Sequence, residues 1–430
     1  MSIFLLHQYN PSCLRTSRKC SLRHLQTLLR HQSTFAATTL TIPRPLTVLG
    51  IESSADDSCA AIVTSDRNIL SNVVIKQHDQ NADYGGIHPL KAQHAHQVGI
   101  PEAIRLAFTQ ARITITQVDA IAYTRGPGMI GCLSVGASSA KALAAAHNIP
   151  LIGVHHMQAH ALTPLLTEST PPEYPFFVLL VSGGHTQLVL AKSLDKFQIL
   201  LDTLDNSIGN VFDKAARLLQ LPPSLERGPG AVLEYYASLS YSQPNNQLDN
   251  SSKSHLNSLT SSMFPRPDHK TPKLLPPLPR PLPSKTQKAF SFSGLLSATE
   301  RLVNQLCPDG RVDEEVQKEI SRAFQLATMG HLVDKVSLVM KDYPDVRGLV
   351  VSGGVACNQY LRRSLVKMLR DIDSKAKLFY PPVELCTDNA AMIAWTAILR
   401  LQAGAKDEGF GLALRAKWSL EDLYDDLPQR

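Results

Sequence analysis

The tetrapeptide Val181-Ser182-Gly183-Gly184 closes an apolar run that starts at Phe176, and the same tetrapeptide returns as Val351-Ser352-Gly353-Gly354 after the shorter run Gly348 to Val351. A short apolar run bounded by a Gly-Gly turn reads as a buried strand. A strand that feeds a Ser-Gly-Gly turn can expose backbone amides to a phosphate. One such turn marks an ordinary hairpin. Two in the same strand context, beside a further hairpin, predict an α/β chain with two related lobes around a central cleft. That further hairpin opens at Thr47, where T-V-L-G-I-E-S-S leads into the apolar stretch Cys59 to Val63, and Phe176 to Leu190 repeats its pattern.

Between the two hairpins, Leu90 to Arg112 reads as a helix, Val118 to Tyr123 as a strand and Arg125-Gly126-Pro127-Gly128 as a tight turn. The small-residue helix that follows, Ile130 to His147, could pack closely or turn its first amides to an anion. A short strand, Leu151 to Val154, then enters G-V-H-H-M-Q-A-H, Gly153 to His160. Four residues is about one helical turn, so His156 and His160 can share one face and one cation, or can be solvated histidines on a capped helix. A zinc peptidase helix needs a glutamate directly after the first histidine as its base. Here that position is Met157.

The chain has 430 residues, 43% of them hydrophobic, which is enough for two ordinary domains with full cores. Its formal charge of +6 comes from 43 Lys and Arg against 37 Asp and Glu, and it is not spread evenly. Residues 1–51 hold six of the basic residues (Arg15, Arg18, Lys19, Arg23, Arg30, Arg44) and no acidic one, so beyond Ile51 the two signs balance. An Arg- and Ser-rich, acid-free leader with Leu22, Leu25, Leu28 and Leu29 at helical spacing has the properties of a mitochondrial transit peptide. The apolar residues 3–6 are too few to span a membrane. These features predict a soluble protein of the mitochondrial matrix. Of seven cysteines, Cys13 and Cys20 would leave with the leader. Cys59, Cys132, Cys307, Cys357 and Cys386 lack paired spacing and read as small buried residues rather than a disulfide framework.

From about Ser238 to Lys288 the sequence turns Ser/Asn-rich and then Pro-rich, with six prolines among the thirteen residues from Thr271 to Pro283. Such composition predicts a largely disordered insertion, with Phe264-Pro265-Arg266-Pro267 as an anchor inside it. Order is expected again from Phe290-Ser291-Phe292-Ser293-Gly294, followed by helix to about Lys341.

These segments together resemble one family, the tRNA adenosine threonylcarbamoyltransferases of the actin, sugar-kinase and heat-shock-ATPase fold group. The resemblance rests on G-I-E-S-S-A-D-D-S (Gly50 to Ser58), Y-G-G-I-H-P (Tyr84 to Pro89), T-R-G-P-G-M (Thr124 to Met129) and G-V-H-H-M-Q-A-H. It continues through L-V-S-G-G-H-T-Q-L (Leu180 to Leu188), F-D-K-A-A-R-L-L (Phe212 to Leu219), F-S-F-S-G-L (Phe290 to Leu295), V-S-G-G-V-A-C-N (Val351 to Asn358) and C-T-D-N-A-A-M-I-A (Cys386 to Ala394). It covers the chain from Leu46 onward apart from the insertion. On this basis residues 1–45 are leader and linker, 46–174 the first lobe and 175–430 the second.

The resemblance implies transfer of a threonylcarbamoyl group from its adenylate to the exocyclic amine of the adenosine beside the anticodon, in tRNAs that read codons starting with adenine. It makes His156, His160 and Asp388 ligands of one divalent cation per subunit, zinc or iron foremost, with manganese also suited to such a donor set. It gives the nucleotide-acyl substrate to Leu180, Val181, Ser182, Gly183, Gly184, Asp213, Gly230, Glu234 and Asn358. Partners implied are tRNA, a separate adenylate-forming enzyme and a second copy of the chain in a homodimer, with no membrane. Two departures stand out. R-G-P-G-A-V-L-E replaces the family's P-G-G-P, so Gly230 and Glu234 correspond by spacing, and A-D-D replaces C-D-E in the opening turn while keeping Asp56 and Asp57. Either carboxylate could take the amine proton or simply cap a turn. Asp388 and Asn358 each also read as helix N-caps, and Asp213 as a first-turn carboxylate. Competing readings are an ATP-dependent or sugar-phosphorylating enzyme of the same fold group, a nucleotide-binding scaffold, and a metallopeptidase.

Overall fold

The computed structural model describes residues 44–77, 87–224, 228–239, 275, 277–284 and 286–427. The leader up to residue 43, Tyr84 to Gly86 and Phe264 to Pro267 lie outside the described residues. From Pro45 onward the chain forms one compact unit.

Two five-stranded sheets carry the fold. The first has β1 (Thr47–Glu52), β2 (Ser58–Thr64), β3 (Ile69–Ile75), β4 (Ala120–Gly126) and β5 (Leu151–His155), in the order β3-β2-β1-β4-β5. The second has β6 (Phe176–Val181), β7 (Thr186–Ala191), β8 (Phe197–Asp202), β9 (Gly348–Ser352) and β10 (Lys377–Phe379), in the order β10-β9-β6-β7-β8. Read from the other edge this is the same arrangement. In each sheet an antiparallel three-stranded meander is followed by two parallel strands added on the far side of its first strand. The lobes are therefore duplicated, as the hairpins at Thr47 and Phe176 predict. The two V-S-G-G segments, however, both belong to the second lobe, at the ends of the adjacent parallel strands β6 and β9. The counterparts of these turns in the first lobe are E-S-S-A-D-D after β1 and R-G-P-G after β4.

Period-two burial sorts each strand's side chains onto two covered faces. On the first sheet, Leu49, Ile51, Ala60 and Ile62 face α1 (Pro89–Ala111) and α2 (Ile130–His147). Val48, Cys59, Ala61 and Val63 face α10 (Ala390–Gln402). On the second sheet, Phe177, Leu179 and Val181 face a helical layer that includes α4 (Ile208–Leu218), α5 (Pro229–Leu239), α6 (Ser293–Leu306), α7 (Glu314–Met340) and α8 (Gln359–Asp371). Phe176, Val178 and Leu180 face α3 (His156–Thr167). Full burial of one such side chain contributes about 1.5–3 kcal/mol, and a one-residue slip would turn the whole set over, so register is strongly fixed.

The central layer is exchanged between lobes. Helix α3 leaves the first sheet and covers the second, whereas α10 follows the second sheet and covers the first, and the two helices touch. The approach of α10 to β1 is close enough that a Cβ on Gly50 would lie 2.3 Å from the carbonyl oxygen of Ala390.

The helical sequence expected after Phe290 to Gly294 and up to about Lys341 is two helices, α6 and α7, interrupted at Cys307–Asp313, where Pro308 and the left-handed Gly310 (φ 77°) break the pattern. The end of the Pro-rich stretch is held to them: Lys335 on α7 donates to the carbonyls of Leu282, Ser284 and Gln287 at 2.8–3.0 Å. Cys59, Cys132, Cys307 and Cys386 are buried free thiols as expected, whereas Cys357 is half-buried. Among the described residues no helix is long and apolar enough to cross a membrane.

Candidate metal centre

Strand β5 is buried along its whole length, and the chain turns into α3 at His155, whose ring is the N-cap. Its Nδ1 accepts from the amides of Met157 (3.1 Å) and Gln158 (3.3 Å), which fixes the proton on Nε2 for the carbonyl of Trp418 (3.1 Å). Burial, outweighing that bond, pushes His155 down to about 3, so the cap is a neutral imidazole.

His156, the next residue, and His160, one turn further on, present their rings edge to face, 4.7 Å between centroids. Both Nε2 atoms point to one oxygen, Asp388 Oδ1, at 3.4 Å and 3.2 Å. One ligand atom from each of the three residues lies within 4.8 Å of the others, a group that could hold a metal ion. Asp388 is free to do so because the helix cap is its neighbour. Asn389 Oδ1 accepts from the amide of Met392 (3.0 Å), and its Nδ2 donates to the carbonyls of Leu385 and Thr387. The cap reading of Asp388 thus gives way by one residue.

The far nitrogens are held as well. His156 Nδ1 lies 2.9 Å from Glu52 Oε2 and 3.2 Å from Ser54 Oγ, and His160 Nδ1 lies 3.4 Å from Ser352 Oγ. Glu52 is fully buried at the end of β1 and also accepts from the amide of Ser54 and the hydroxyl of Thr124. Carboxylate–histidine pairs of this kind orient metal-binding imidazoles and raise their basicity. Neither Glu52 nor Ser352 stood out in sequence as a site residue. The available signal was a single charged residue closing an otherwise apolar strand.

Electrostatics favour a cation here. Burial pulls His156 down, but the Glu52 and Asp388 carboxylates outweigh it and hold the ring up to about 10. Burial raises Asp388 and Glu52, yet His156 holds both below the ordinary carboxylate range. His160 is lowered, first by burial, with its hydrogen bond to Asp388 opposing, so its ring is neutral and could offer an Nε2 lone pair to a cation that replaced that proton. The buried Glu52 carboxylate and the half-buried Asp388 carboxylate around two buried imidazoles therefore fit a divalent ion by charge and by donor type.

The other candidates fall into three groups. Leu180 and Val181 are fully buried in β6, so their part is to place the turn that follows. In that turn, Ser182 Oγ accepts from the amides of Gly184 (3.3 Å) and His185 (3.0 Å), while Gly183 and Gly184 have open space where a Cβ would stand. Gly353, at φ 101°, meets the first turn so closely that a Cβ would lie 2.3 Å from the carbonyl oxygen of Val181. The two Ser-Gly-Gly turns thus abut, and Ser352 ties them to the histidines. Asp213, Gly230, Glu234 and Asn358 form the second group. Asp213 lies in mid-helix rather than in a first turn, and its Oδ1 accepts from the Gly230 amide (2.9 Å) at the start of α5. Glu234 accepts from the Gln359 amide (2.7 Å), and Asn358 caps α8 through the Leu361 amide (2.9 Å). The third group is the turn after β1. Asp57 Oδ1 is buried with no hydrogen-bond partner among the described residues. Burial first, then Asp56 and Asp388, push its carboxyl up to about 7. At the Gly-Pro-Gly turn the amides of Gly128 and Met129 donate to the carbonyls of Ala416 and Ser54, which ties the turn to the C-terminal segment and to the turn after β1.

The family model described as tRNA N6-adenosine threonylcarbamoyltransferase matches residues 68–395. Among solved structures, HypF from T. kodakarensis superposes with a TM-score of 0.52 at 13% identity, over 86% of this chain and 51% of that one. The Acidaminococcus fermentans (R)-2-hydroxyglutaryl-CoA dehydratase component A matches at TM-score 0.44 and 12% identity, over 83% of this chain and 99% of that one. The fold is that of the actin-like ATPases and sugar kinases.

Proposed function

The chain belongs to the tRNA N6-adenosine threonylcarbamoyltransferase family, and from that premise we propose that it transfers threonylcarbamoyl from its adenylate to the amine of the adenosine beside the anticodon. The observation that carries the site assignment is the convergence of both histidine Nε2 atoms on Asp388 Oδ1 beside the paired Ser-Gly-Gly turns. An adenine amine is a weak nucleophile because its lone pair is delocalised into the ring, so the acyl group must be polarised. A divalent cation held by His156, His160 and Asp388 supplies Lewis acidity of the kind that lowers such barriers by several kcal/mol. The open faces of Gly183 and Gly184 let an acyl phosphate approach the backbone, where amides stabilise developing negative charge. Asp213, Gly230, Glu234 and Asn358 bind the nucleotide portion, held to one another across α4, α5 and α8. Asp57, poised near neutrality and without an internal partner, takes the amine proton.

Labelled threonine and bicarbonate, supplied with an adenylate-forming enzyme and transcribed tRNA, should be incorporated by the wild-type protein and not by His156→Ala/His160→Ala. Activity surviving in the double variant sinks the metal assignment; cleavage of a peptide without any tRNA modification sinks the reading as a whole. Against a peptidase stands Met157 where its base would be.

The acid-free, Arg-rich leader supports action in the mitochondrial matrix, and the family resemblance extends the proposal to tRNAs that read codons starting with adenine and to a homodimer. A fluorescent fusion lacking residues 1–45 should fail to reach mitochondria, and native mass should be twice that of the chain.

A further inference from the structure

His96 lies on α1 with no exposure to solvent, and both of its ring nitrogens are engaged by the turn after β1. Nε2 lies 3.1 Å from the carbonyl oxygen of Ala55, and Nδ1 lies 2.7 Å from Ser58 Oγ. A carbonyl oxygen only accepts, so the proton sits on Nε2 and Nδ1 accepts from the Ser58 hydroxyl. Burial lowers the ring from its ordinary value, against the Ala55 bond and the Glu52 and Asp56 carboxylates, and keeps it in that neutral tautomer. The helix can come this close because its next turn carries Gly99, where a Cβ would lie 2.5 Å from Ser58 Oγ.

Ala55 and Ser58 are the residues on either side of Asp56-Asp57. The earlier part of the same turn is held from elsewhere: Ser53 Oγ donates to the carbonyl of Cys132 (3.0 Å), and the carbonyl of Ser54 accepts from the Met129 amide (2.9 Å). Beyond the turn, Cys59 Sγ lies 3.8 Å from the carbonyl oxygen of Asp388, in the link between α9 (Val383–Cys386) and α10. Asp57 has no comparable tie at Oδ1, which is buried without a hydrogen-bond partner among the described residues. A carboxyl that no donor orients takes its direction from the backbone beneath it, and here one imidazole grips that backbone at both ends.

We propose that His96 is a positioning residue for the transfer reaction: by bridging Ala55 and Ser58 it fixes the Asp56-Asp57 segment so that Asp57 faces the incoming adenosine amine. The proposal rests on the reading of Asp57 as the base. Both ring nitrogens of His96 are already bonded within the protein, so its effect on the reaction passes through the aspartate and not through contact with substrate.

The test is a double-mutant cycle on labelled-threonine incorporation into tRNA by the full-length protein, with kcat and KM for tRNA measured separately. A misplacement of about 1 Å at a reacting group costs about 100-fold, so His96→Leu should lose about that much in kcat with KM for tRNA nearly unchanged. Ser58→Ala, which deletes a single oxygen and frees Nδ1, should lose about tenfold, and it carries the test if His96→Leu does not fold. In an Asp57→Asn background both losses should shrink to about twofold or less, because a residue that acts through Asp57 then has nothing left to place. Unchanged kcat in both single variants, losses of full size in the Asp57→Asn background, or a raised KM with kcat intact would mean that the ring only packs α1 against the sheet, and each overturns the proposal. Full activity of Asp57→Asn by itself is a separate failure, which removes Asp57 as the base and the proposal with it.

Discussion

Glu52 sits at the end of an apolar strand with no exposure to solvent, and its carboxylate is shared among His156, Ser54 and Thr124. A buried carboxylate with that many donors aligns the imidazole and lends it negative charge, which a neutral amide of the same shape cannot do. Glu52→Gln should therefore weaken metal binding by about 10–100-fold, or about 1.4–2.8 kcal/mol. Titration against a competing chelator checks this, and an unchanged affinity removes Glu52 from the centre. Asp57 has the opposite character. Its carboxyl is half-buried and unpartnered, and its folded value of about 7 lies above the 3.8 of the free side chain. Between those values the folded protein binds the extra proton, so stability falls as pH rises from about 4 to 7 and the deficit is complete above that. Asp57→Asn should thus be more stable than wild type at pH 8, by on the order of 1–3 kcal/mol after allowance for its partial exposure, while losing transfer activity. A variant that is both less stable and fully active contradicts the role of base. At this scale the sequence was unevenly legible. The spacing of His156 and His160 shows in the chain itself, whereas Asp388 emerged through family resemblance, because a carboxylate before a small-residue helix looks like a cap until Asn389 is seen to fill that place.

Helices α3 and α10 face the sheet of the opposite lobe, and this exchange brings residues 228 positions apart into contact at His160 and Asp388. No period in a sequence encodes such an exchange. The hairpins, the β5–α3 junction and most helix ranges were readable because alternation and helical spacing are local. The pairing of the two V-S-G-G turns within one lobe was not readable, since identical tetrapeptides say nothing of which strands become neighbours. Close packing of α10 on β1 depends on Gly50, where a Cβ would meet backbone atoms of Ala390 at 2.3 Å and Ala394 at 2.8 Å. Backbone cannot swing aside as a side chain can. Gly50→Ala should lower the unfolding free energy by about 1–3 kcal/mol and displace α10, and with it Asp388. Denaturant unfolding measures the first effect and metal titration the second. Normal stability would mean that α10 has room the structure does not show.

Across the whole molecule, beyond the leader, basic and acidic residues balance, so tRNA must be held by local surface charge rather than by a net field. The forces that hold the two lobes around the cleft then matter more than bulk charge. The donors come from α3, which covers the second sheet, and from the residue two before α10, which covers the first. An ion bound there clasps the central layer at its contact point, and stabilises the folded state by its binding free energy. At a free metal concentration about 100 times Kd this amounts to about 2.7 kcal/mol, an increase of a few degrees in Tm for a chain of this size. Stripping the metal with a chelator should remove that increment from the wild-type protein, and restoring the ion should return it. His160→Ala, whose Nε2 faces Asp388, should start lower and respond to neither treatment. If the variant and the wild type respond alike, the ion that stabilises the molecule sits elsewhere, and the histidines only pack the core between the lobes.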